Sequence, residues 1–322
     1  MRIIHAQTIM QDAPAHARLP HSAQYAMGSA FISGEYKGLH EASIPIVDMG
    51  FLQGDVAYEV VTVSKGAFFR LQDHLQNMER SCERLYLRNP YNRDQTESIL
   101  SKLVSLTGTK DAYVWWGVTR GLWLGGERSD LDAFDNCLYA FVMPYQFGFN
   151  DEQCDRGLDV ITTHPAVYMT GGGGWGDLTR ALVEARREQK DWVVLIDSDG
   201  FLVESPGVDI FLVKGGELYA NSSRSPRGTM YQSVIELAEE LGVNSQVARL
   251  NRALLMSADE AFFATCDGSI APINSIDARL LGGAESIGTL TRQFHDRYWQ
   301  KRWSGWHATP VDYMSRARPR CQ

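Results

Sequence analysis

The sequence lacks the features that mark metal-binding, secreted or membrane-spanning chains. Its five cysteines are widely spaced and form no C-x-x-C pair, so neither a zinc site nor a disulfide framework is indicated. No stretch approaches the roughly 18 apolar residues of a membrane span. Residues 1–20 carry polar side chains where a signal peptide needs an apolar run. The eight histidines show no metal-ligand spacing. We therefore expect a cytoplasmic protein without a metal centre.

Positive charge is also scarce. The chain has 31 Lys and Arg residues against 39 Asp and Glu, which gives a net charge of -8. Binding to nucleic acid needs clustered Lys and Arg to neutralise phosphates. The exception is the tail with Arg316, Arg318 and Arg320, a pattern typical of a solvated terminus. We expect neither a nucleic-acid nor a membrane partner.

What is present is the pattern of a globular α+β protein. At 322 residues with 44% hydrophobic residues, the chain is long enough for two domains. Alternating β-branched segments predict strands, and apolar residues spaced by three and four predict helices over 70–87, 96–106, 178–189, 230–241 and 285–303. Asp177 is the expected cap of the third of these helices. We predict a smaller N-terminal α/β domain (1–146), a linker (147–156) and a larger C-terminal domain (157–322).

Six segments carry a resemblance to a known family. In chain order they are IVDMGF (46–51), FFRLQDHL (68–75), WGDLT (175–179), LVESPG (202–207), Arg227-Gly228 before a helix, and PVDY (310–313). Together they resemble the class-IV (fold-type IV) pyridoxal-phosphate (PLP) aminotransferases, closest to the (R)-selective amine transaminase and branched-chain branch. The resemblance implies the two-domain architecture of that family, a homodimer, and an active site between the domains at the dimer interface.

The resemblance also implies roles for individual residues. Arg70 matches the arginine that binds the cofactor phosphate. A helix N-terminus favours an anion as well, which gives Gly228 and Thr229 a phosphate-binding role. Thr265 is a further candidate for binding the cofactor or an anion. Glu204 matches the carboxylate that keeps the pyridine nitrogen protonated. Tyr58 matches an aromatic residue near the reacting edge of the cofactor, and Arg128 joins the arginines that suit a small anionic substrate.

The resemblance aligns Arg180 with the lysine that forms the Schiff base. A guanidinium effectively never deprotonates, so it supplies neither a free amine nor a base. The other lysines match no segment that contacts a cofactor; they are Lys37, Lys65, Lys102, Lys110, Lys190, Lys214 and Lys301. Covalently bound PLP is therefore not expected, whereas PLP or pyridoxamine phosphate (PMP) held without a covalent link stays open.

The phosphate-binding residues depart from the family as well. Met230 and Cys266 stand where the amine transaminases carry threonines, and Asp267 stands where a small neutral residue is usual. Asp209 replaces an asparagine, and a carboxylate near a phosphate repels it. We expect Arg180 to face an anion, either a substrate group or one of the carboxylates of Glu204, Asp209 and Asp267.

These observations leave three functional hypotheses. The first is an enzyme that has lost Schiff-base catalysis and acts on a small anionic metabolite by cyclisation, isomerisation, elimination or hydrolysis. Its catalytic groups would come from Arg180, Glu204, Asp209, Tyr58 and Cys266. The second is an enzyme that uses non-covalent PLP or PMP for amino-group chemistry. The third is a non-catalytic binding subunit.

Overall fold

The computed structural model describes residues 3–164, 175–205, 207–222, 228–281 and 287–314. The chain divides into two compact units. The first unit comprises Met10–Gln146 and Gly305–Gln322, and the second comprises Met1–Ile9 and Phe147–Ser304. Helix α1 (Ala6–Asp12) spans the division near the start of the chain.

The first unit is built on an antiparallel sheet of seven strands in the order β16-β4-β3-β5-β6-β1-β2. Its strands are β1 (Ser29–Ile32), β2 (Glu35–Gly38), β3 (Val56–Ser64), β4 (Ala67–Phe69), β5 (Ala112–Trp123), β6 (Phe134–Pro144) and β16 (Ala308–Pro310). Its helices are α2 (Met49–Gln53), α3 (Leu71–Leu85) and α4 (Arg93–Thr107).

The two faces of this sheet differ because successive side chains of a strand alternate. The inner face carries Val61, Val63 and Trp116, which are fully buried in one core with Leu100 and Leu103 of α4. The outer face carries a second apolar set that includes Trp115 and Phe141. Large apolar side chains are exposed beside it on 44–52, namely Ile44, Ile46, Val47, Phe51 and Leu52.

The second unit contains a mixed sheet of nine strands in the order β12-β11-β10-β13-β14-β7-β8-β9, with β15 paired to β14. The strands are β7 (Leu158–Thr163), β8 (Trp192–Ile196), β9 (Leu202–Glu204), β10 (Val208–Lys214), β11 (Glu217–Asn221), β12 (Ser245–Ala248), β13 (Glu260–Thr265), β14 (Ile270–Ile276) and β15 (Arg279–Leu280). The helices are α5 (Asp151–Arg156), α6 (Trp175–Arg187), α7 (Thr229–Glu240), α8 (Arg252–Ser257) and α9 (Thr289–Trp303).

Aromatic contacts fix α7 and α9 on one face of this sheet. Phe211 of β10 lies 5.6 Å from Tyr231 of α7 between ring centroids, and Phe262 of β13 lies 5.5 Å from Phe294 of α9. Phe211 and Phe262 are register partners, stacked at 5.2 Å. This packing places the start of α7 beside the start of β10.

The two units divide the chain differently from the predicted domains at its C-terminal end. Residues 305–314 group with the first unit, because β16 pairs with β4 and Val311 lies in the core of that unit. The predicted linker 147–156 contains α5, which begins with a capping box between Asn150 and Gln153. The periodicity of the sequence could not have predicted either element, since β16 has only three residues and α5 only six.

Helix α6 begins earlier than predicted. It starts at Trp175, so Asp177 lies inside its first turn instead of capping it, and Arg180 lies in the second turn. No helix within the described residues combines the length and the apolar character that crossing a membrane requires.

Candidate functional site

In the first unit, Arg70 occupies a distinctive backbone position. It is the N-cap residue of α3 and adopts the left-handed conformation, with φ 52° and ψ 34°. Its side chain is buried, and Nε donates to Oδ2 of Asp73 at 2.6 Å. The N–H of Arg70 donates to the carbonyl of His307 at 2.9 Å. A buried guanidinium at the beginning of a helix suits the binding of an anion.

One turn further along α3, His74 forms a pair that sequence reasoning missed. Its Nδ1 lies 2.6 Å from Oε2 of Glu59, and both side chains are largely buried. Glu59 directly follows Tyr58 on β3, so the pair connects the strand of Tyr58 to the helix that Arg70 begins. The sequence could have indicated this pair, because Glu59 is the neighbour of Tyr58 and His74 lies in the same matched segment as Arg70.

Tyr58 lies on the outer face of the sheet and is 42% exposed. Its ring stacks on Trp115 with centroids 6.0 Å apart, and Trp115 stacks on Phe141 at 5.5 Å. These rings adjoin an apolar groove of about 410 Å³ that Trp115, Phe141 and Phe51 help to line. Tyr58 thus adds its ring to the stack formed by Trp115 and Phe141.

Arg128 lies on the β5–β6 connection at the rim of a second groove, of about 270 Å³. Its guanidinium is exposed and stacks over Trp123, 5.7 Å from the ring centroid. Arg120 lines the same groove, but its charge is neutralised by both carboxylate oxygens of Asp55, at 2.9 and 3.2 Å. Arg128 is therefore the better placed of the two cations to receive an acidic ligand.

In the second unit, β10 and α7 bring together Asp209, Gly228 and Thr229. Gly228 is the N-cap of α7 and offers no capping side chain. A Cβ placed on Gly228 would lie 3.4 Å from Oδ2 of Asp209, so the carboxylate is adjacent to the helix N-terminus. Thr229 and Met230 follow as buried residues of the first turn. The helix end favours an anion, whereas Asp209 opposes one.

Thr265 and Asp267 form a closed loop after β13. The Thr265 hydroxyl donates to Oδ1 of Asp267 at 2.5 Å, and that oxygen also accepts from Ser269 N at 2.7 Å. Oδ2 of Asp267 accepts from Gly148 N at 2.7 Å. The hydroxyl of Thr265 is therefore hydrogen-bonded within this loop. Cys266 between them is exposed, contrary to the usual burial of a free cysteine.

Of the carboxylates that the sequence suggested, Asp209 and Asp267 have described side chains, and neither is paired with Arg180. Arg180 forms an ion pair with Glu184, one turn along α6, and the two side chains are 40% and 42% exposed. Helix geometry favours this partner, because residues four apart lie on the same face. The side chain of Glu204 lies outside the described residues, as do the segments 165–174, with its four consecutive glycines, and 223–227, with Arg227.

The second unit contains three lysines, Lys190, Lys214 and Lys301. Lys214 ends β10, five residues from Asp209, which is about 17 Å along a strand. Its Nζ donates to Ser257 Oγ at 2.7 Å. Lys301 pairs with Glu240, and Lys190 follows the C-terminal end of α6. Across the described residues, no group of three His, Cys, Asp or Glu side chains could hold a metal ion.

Comparison with known proteins identifies the family. The sequence model for amino-transferase class IV matches residues 56–276. The branched-chain-amino-acid aminotransferase of Pseudomonas aeruginosa is 26% identical over 261 residues, 78% of this chain and 83% of that protein. The D-alanine aminotransferase of Bacillus licheniformis is 23% identical over 257 residues, 78% and 89% of the two chains. The structure of the branched-chain amino acid aminotransferase from Thermobaculum terrenum in its PLP form superposes with a TM-score of 0.75 at 20% identity, covering 89% of this chain and 99% of that one.

These findings confirm the α+β fold-type IV architecture and correct the first functional hypothesis. An enzyme that has exchanged PLP chemistry for cyclisation, isomerisation, elimination or hydrolysis is contradicted, because the curated relatives over about four-fifths of the chain are aminotransferases. The match covers more than half of the sequence, from β3 to β14. This chain belongs to the amino-transferase class IV family.

Proposed function

We propose that this protein is an aminotransferase that transfers amino groups with PLP and PMP held by ionic contacts and hydrogen bonds. The relatives that match about four-fifths of the chain carry the proposal, since they are named for amino-group transfer to and from branched-chain amino acids or D-alanine. Bound in such a site, PLP supplies an electron sink for the carbon next to the transferred nitrogen.

The donor set in each unit fits a phosphorylated cofactor. Arg70 is a buried guanidinium in the matched phosphate segment, and one edge of it is already oriented by Asp73. In the second unit, the start of α7 at Gly228 and Thr229 is by itself an element that favours an anion. In this role Arg70 binds the phosphate, while Glu204 is the carboxylate proposed to keep the pyridine nitrogen protonated.

The proposal that the cofactor binds without a covalent link rests on Arg180 and on the partners of the lysines in the second unit. Arg180 aligns with the Schiff-base lysine of the family, and its side chain is engaged with Glu184. In the second unit Lys214 and Lys301 are bonded to Ser257 and Glu240. A cofactor held without a lysine depends on its phosphate contacts, which makes Arg70 the residue whose loss costs most.

We propose a 2-amino acid as the amino donor and a 2-oxo acid as the acceptor. Arg128 offers an exposed guanidinium for the substrate carboxylate, and its stacking on Trp123 limits the positions that it samples. Apolar Leu131 and Phe134 line the same groove and suit an apolar side chain. The resemblance to the (R)-selective branch extends the donors to be tested to (R)-amines without a carboxylate.

A single-turnover reaction tests the proposal. The purified protein is mixed with PMP and a branched 2-oxo acid, and the PLP and amino acid formed are quantified by chromatography. We expect equal amounts of the two products, with the enantiomer of the amino acid reporting the stereoselectivity. Arg70→Ala should lower the yield at limiting PMP. Bound PMP that yields no PLP with any 2-oxo acid or ketone would contradict the proposal.

We also propose a homodimer formed through the outer face of the seven-stranded sheet. Ile46, Val47 and Phe51 are 73%, 58% and 62% exposed beside the apolar groove. A contiguous apolar surface of this kind typically marks an interface. Light scattering of the wild type and of Phe51→Glu should give a dimer and a monomer respectively; an unchanged mass for the variant would exclude this face.

A further inference from the structure

The C-terminal strap, residues 305–314, returns to the first unit and packs beside Arg70. Its strand β16 pairs antiparallel with β4 and places Ala308 opposite Phe69 and Pro310 opposite Ala67. Beyond the strand, Val311 N donates to the carbonyl of Gly66 at 2.9 Å and its side chain is buried in the core. The strap therefore forms an edge strand of the sheet, next to β4, and β4 ends at the residue before Arg70.

His307 is the residue of the strap that is hydrogen-bonded to the backbone of Arg70. The His307 carbonyl accepts the N–H of Arg70 at 2.9 Å. On the residue before Arg70, the Phe69 ring lies 5.4 Å from the ring of Trp306 and 6.3 Å from that of His307 between centroids. The hydrogen bond to Arg70 and the aromatic contacts of Phe69 thus hold the two residues on either side of the peptide bond that joins them.

Arg70 needs such support because its backbone is left-handed, with φ 52°. Residues other than glycine rarely adopt this conformation unless their surroundings hold it. His307 itself has φ 48°, so both partners of the hydrogen bond are held in the same uncommon region. If the strap loosens, Arg70 can relax to an ordinary conformation, and its side chain then leaves the position fixed by Asp73.

We propose that Trp306 and His307 are positioning residues for the phosphate-binding arginine. They hold the backbone of Arg70 so that its guanidinium stands ready for the cofactor phosphate before the cofactor arrives. This inference rests on the proposed function, because it takes Arg70 as the phosphate ligand. It predicts that weakening the strap reduces affinity for the phosphate group and not for the pyridine ring.

The test compares PLP with pyridoxal, which lacks the phosphate, on the full-length protein. Dissociation constants for both are measured by fluorescence titration for the wild type, Trp306→Ala, Arg70→Ala and Met314→Ala. Met314 lies on the same strap and is 80% exposed, which makes it the matched control. We expect Trp306→Ala to weaken PLP binding about ten-fold and to leave pyridoxal within about two-fold, while Met314→Ala changes neither. The inhibition constant of inorganic phosphate, measured by its competition with PLP, should be higher for Trp306→Ala than for the wild type.

The outcomes separate this inference from the proposed function. If Arg70→Ala leaves PLP affinity unchanged, the phosphate role of Arg70 fails and the inference fails with it. If Arg70→Ala weakens PLP binding but Trp306→Ala does not, only the strap inference is overturned. Equal losses for PLP and pyridoxal would likewise overturn it, since they indicate general loosening. Should Trp306→Ala fail to fold, Trp306→Leu keeps an apolar side chain and is read by the same comparison.

Discussion

The guanidinium of Arg180 is paired with the carboxylate of Glu184 on α6, and the two side chains are 40% and 42% exposed. Both residues of this pair belong to α6 and lie one helical turn apart. The pair places a negative charge beside the guanidinium of Arg180 within α6.

Substituting Arg180 should have little effect on stability. Pairs four residues apart on an exposed helix face contribute about 0.3–0.5 kcal/mol. We expect Arg180→Ala to lower the free energy of unfolding by about 0.5 kcal/mol or less, as measured by urea denaturation. Arg187→Ala, at the end of the same helix, serves as the control. A loss above about 2 kcal/mol would show that Arg180 balances a buried charge after all.

Borohydride reduction in the presence of PLP should label no lysine stoichiometrically. The seven lysines are the candidates for a covalent link, and in the second unit Lys214 and Lys301 are bonded to Ser257 and Glu240. Peptide mapping by mass spectrometry checks this expectation. Scattered labelling at low occupancy is the background expected of exposed lysines. One fully occupied lysine would replace the non-covalent part of the proposal with a covalent one.

Arg128→Ala should discriminate between substrates. A charged hydrogen bond to a carboxylate contributes about 1.5–3 kcal/mol, so KM for 2-oxo acids should rise roughly ten-fold or more. Ketones without a carboxylate should keep their KM, since Arg128 has nothing to bind in them. Steady-state kinetics with one acceptor of each class measures the difference. Arg88→Ala provides a control, because Arg88 is also exposed in the first unit but pairs with Asp132. An equal rise for both acceptors would exclude Arg128 as the carboxylate ligand.

Asp209→Asn should strengthen cofactor binding. The carboxylate of Asp209 is adjacent to the N-cap of α7, where it repels a phosphate. Removing one like charge near contact distance is worth about 1 kcal/mol or more, which corresponds to about five-fold in the dissociation constant. PLP titration measures the gain, and pyridoxal should show none. Weaker PLP binding in the variant would instead assign Asp209 a direct role in holding the cofactor.

Glu240 links α7 to α9 through Arg297 and Lys301 and gives the second unit an acid-sensitive contact. The hydrogen bonds from Lys301 and Arg297 hold the pKa of Glu240 below its ordinary value of 4.5. A lowered pKa means that this contribution is complete above about pH 4.5 and disappears as the pH falls through the lowered value.

Glu240→Gln should therefore cost about 0.5–1 kcal/mol of unfolding free energy near pH 7, because the pair is partly exposed. The difference from wild type should shrink below about pH 4. Urea denaturation at both pH values measures it. Glu239→Gln is the matched control, since Glu239 is the neighbouring exposed carboxylate. A difference that does not depend on pH would mean that the carboxylate charge is not what stabilises the contact.

The sequence by itself determined the local elements and the family. Gly215-Gly216 closes the β10–β11 hairpin and Asp199-Gly200 lies in the β8–β9 turn, where the sequence shows glycine-containing pairs typical of turns, because turn geometry depends on a few adjacent residues. The ordered segments around Arg70 and Gly228 were likewise sufficient to predict the fold, which the comparisons confirm. Each of these signals lies within a short stretch of chain.

Only the tertiary structure decided which distant groups meet. Asp267 receives the N–H of Gly148, and Arg70 donates its own N–H to His307 more than 200 residues away. Backbone donors and acceptors are identical in every residue other than proline, so no side-chain pattern marks such partners. For that reason the sequence identified Arg70 and Asp267 as residues of interest, while the fold decided that one is held by the C-terminal strap and the other closes a loop.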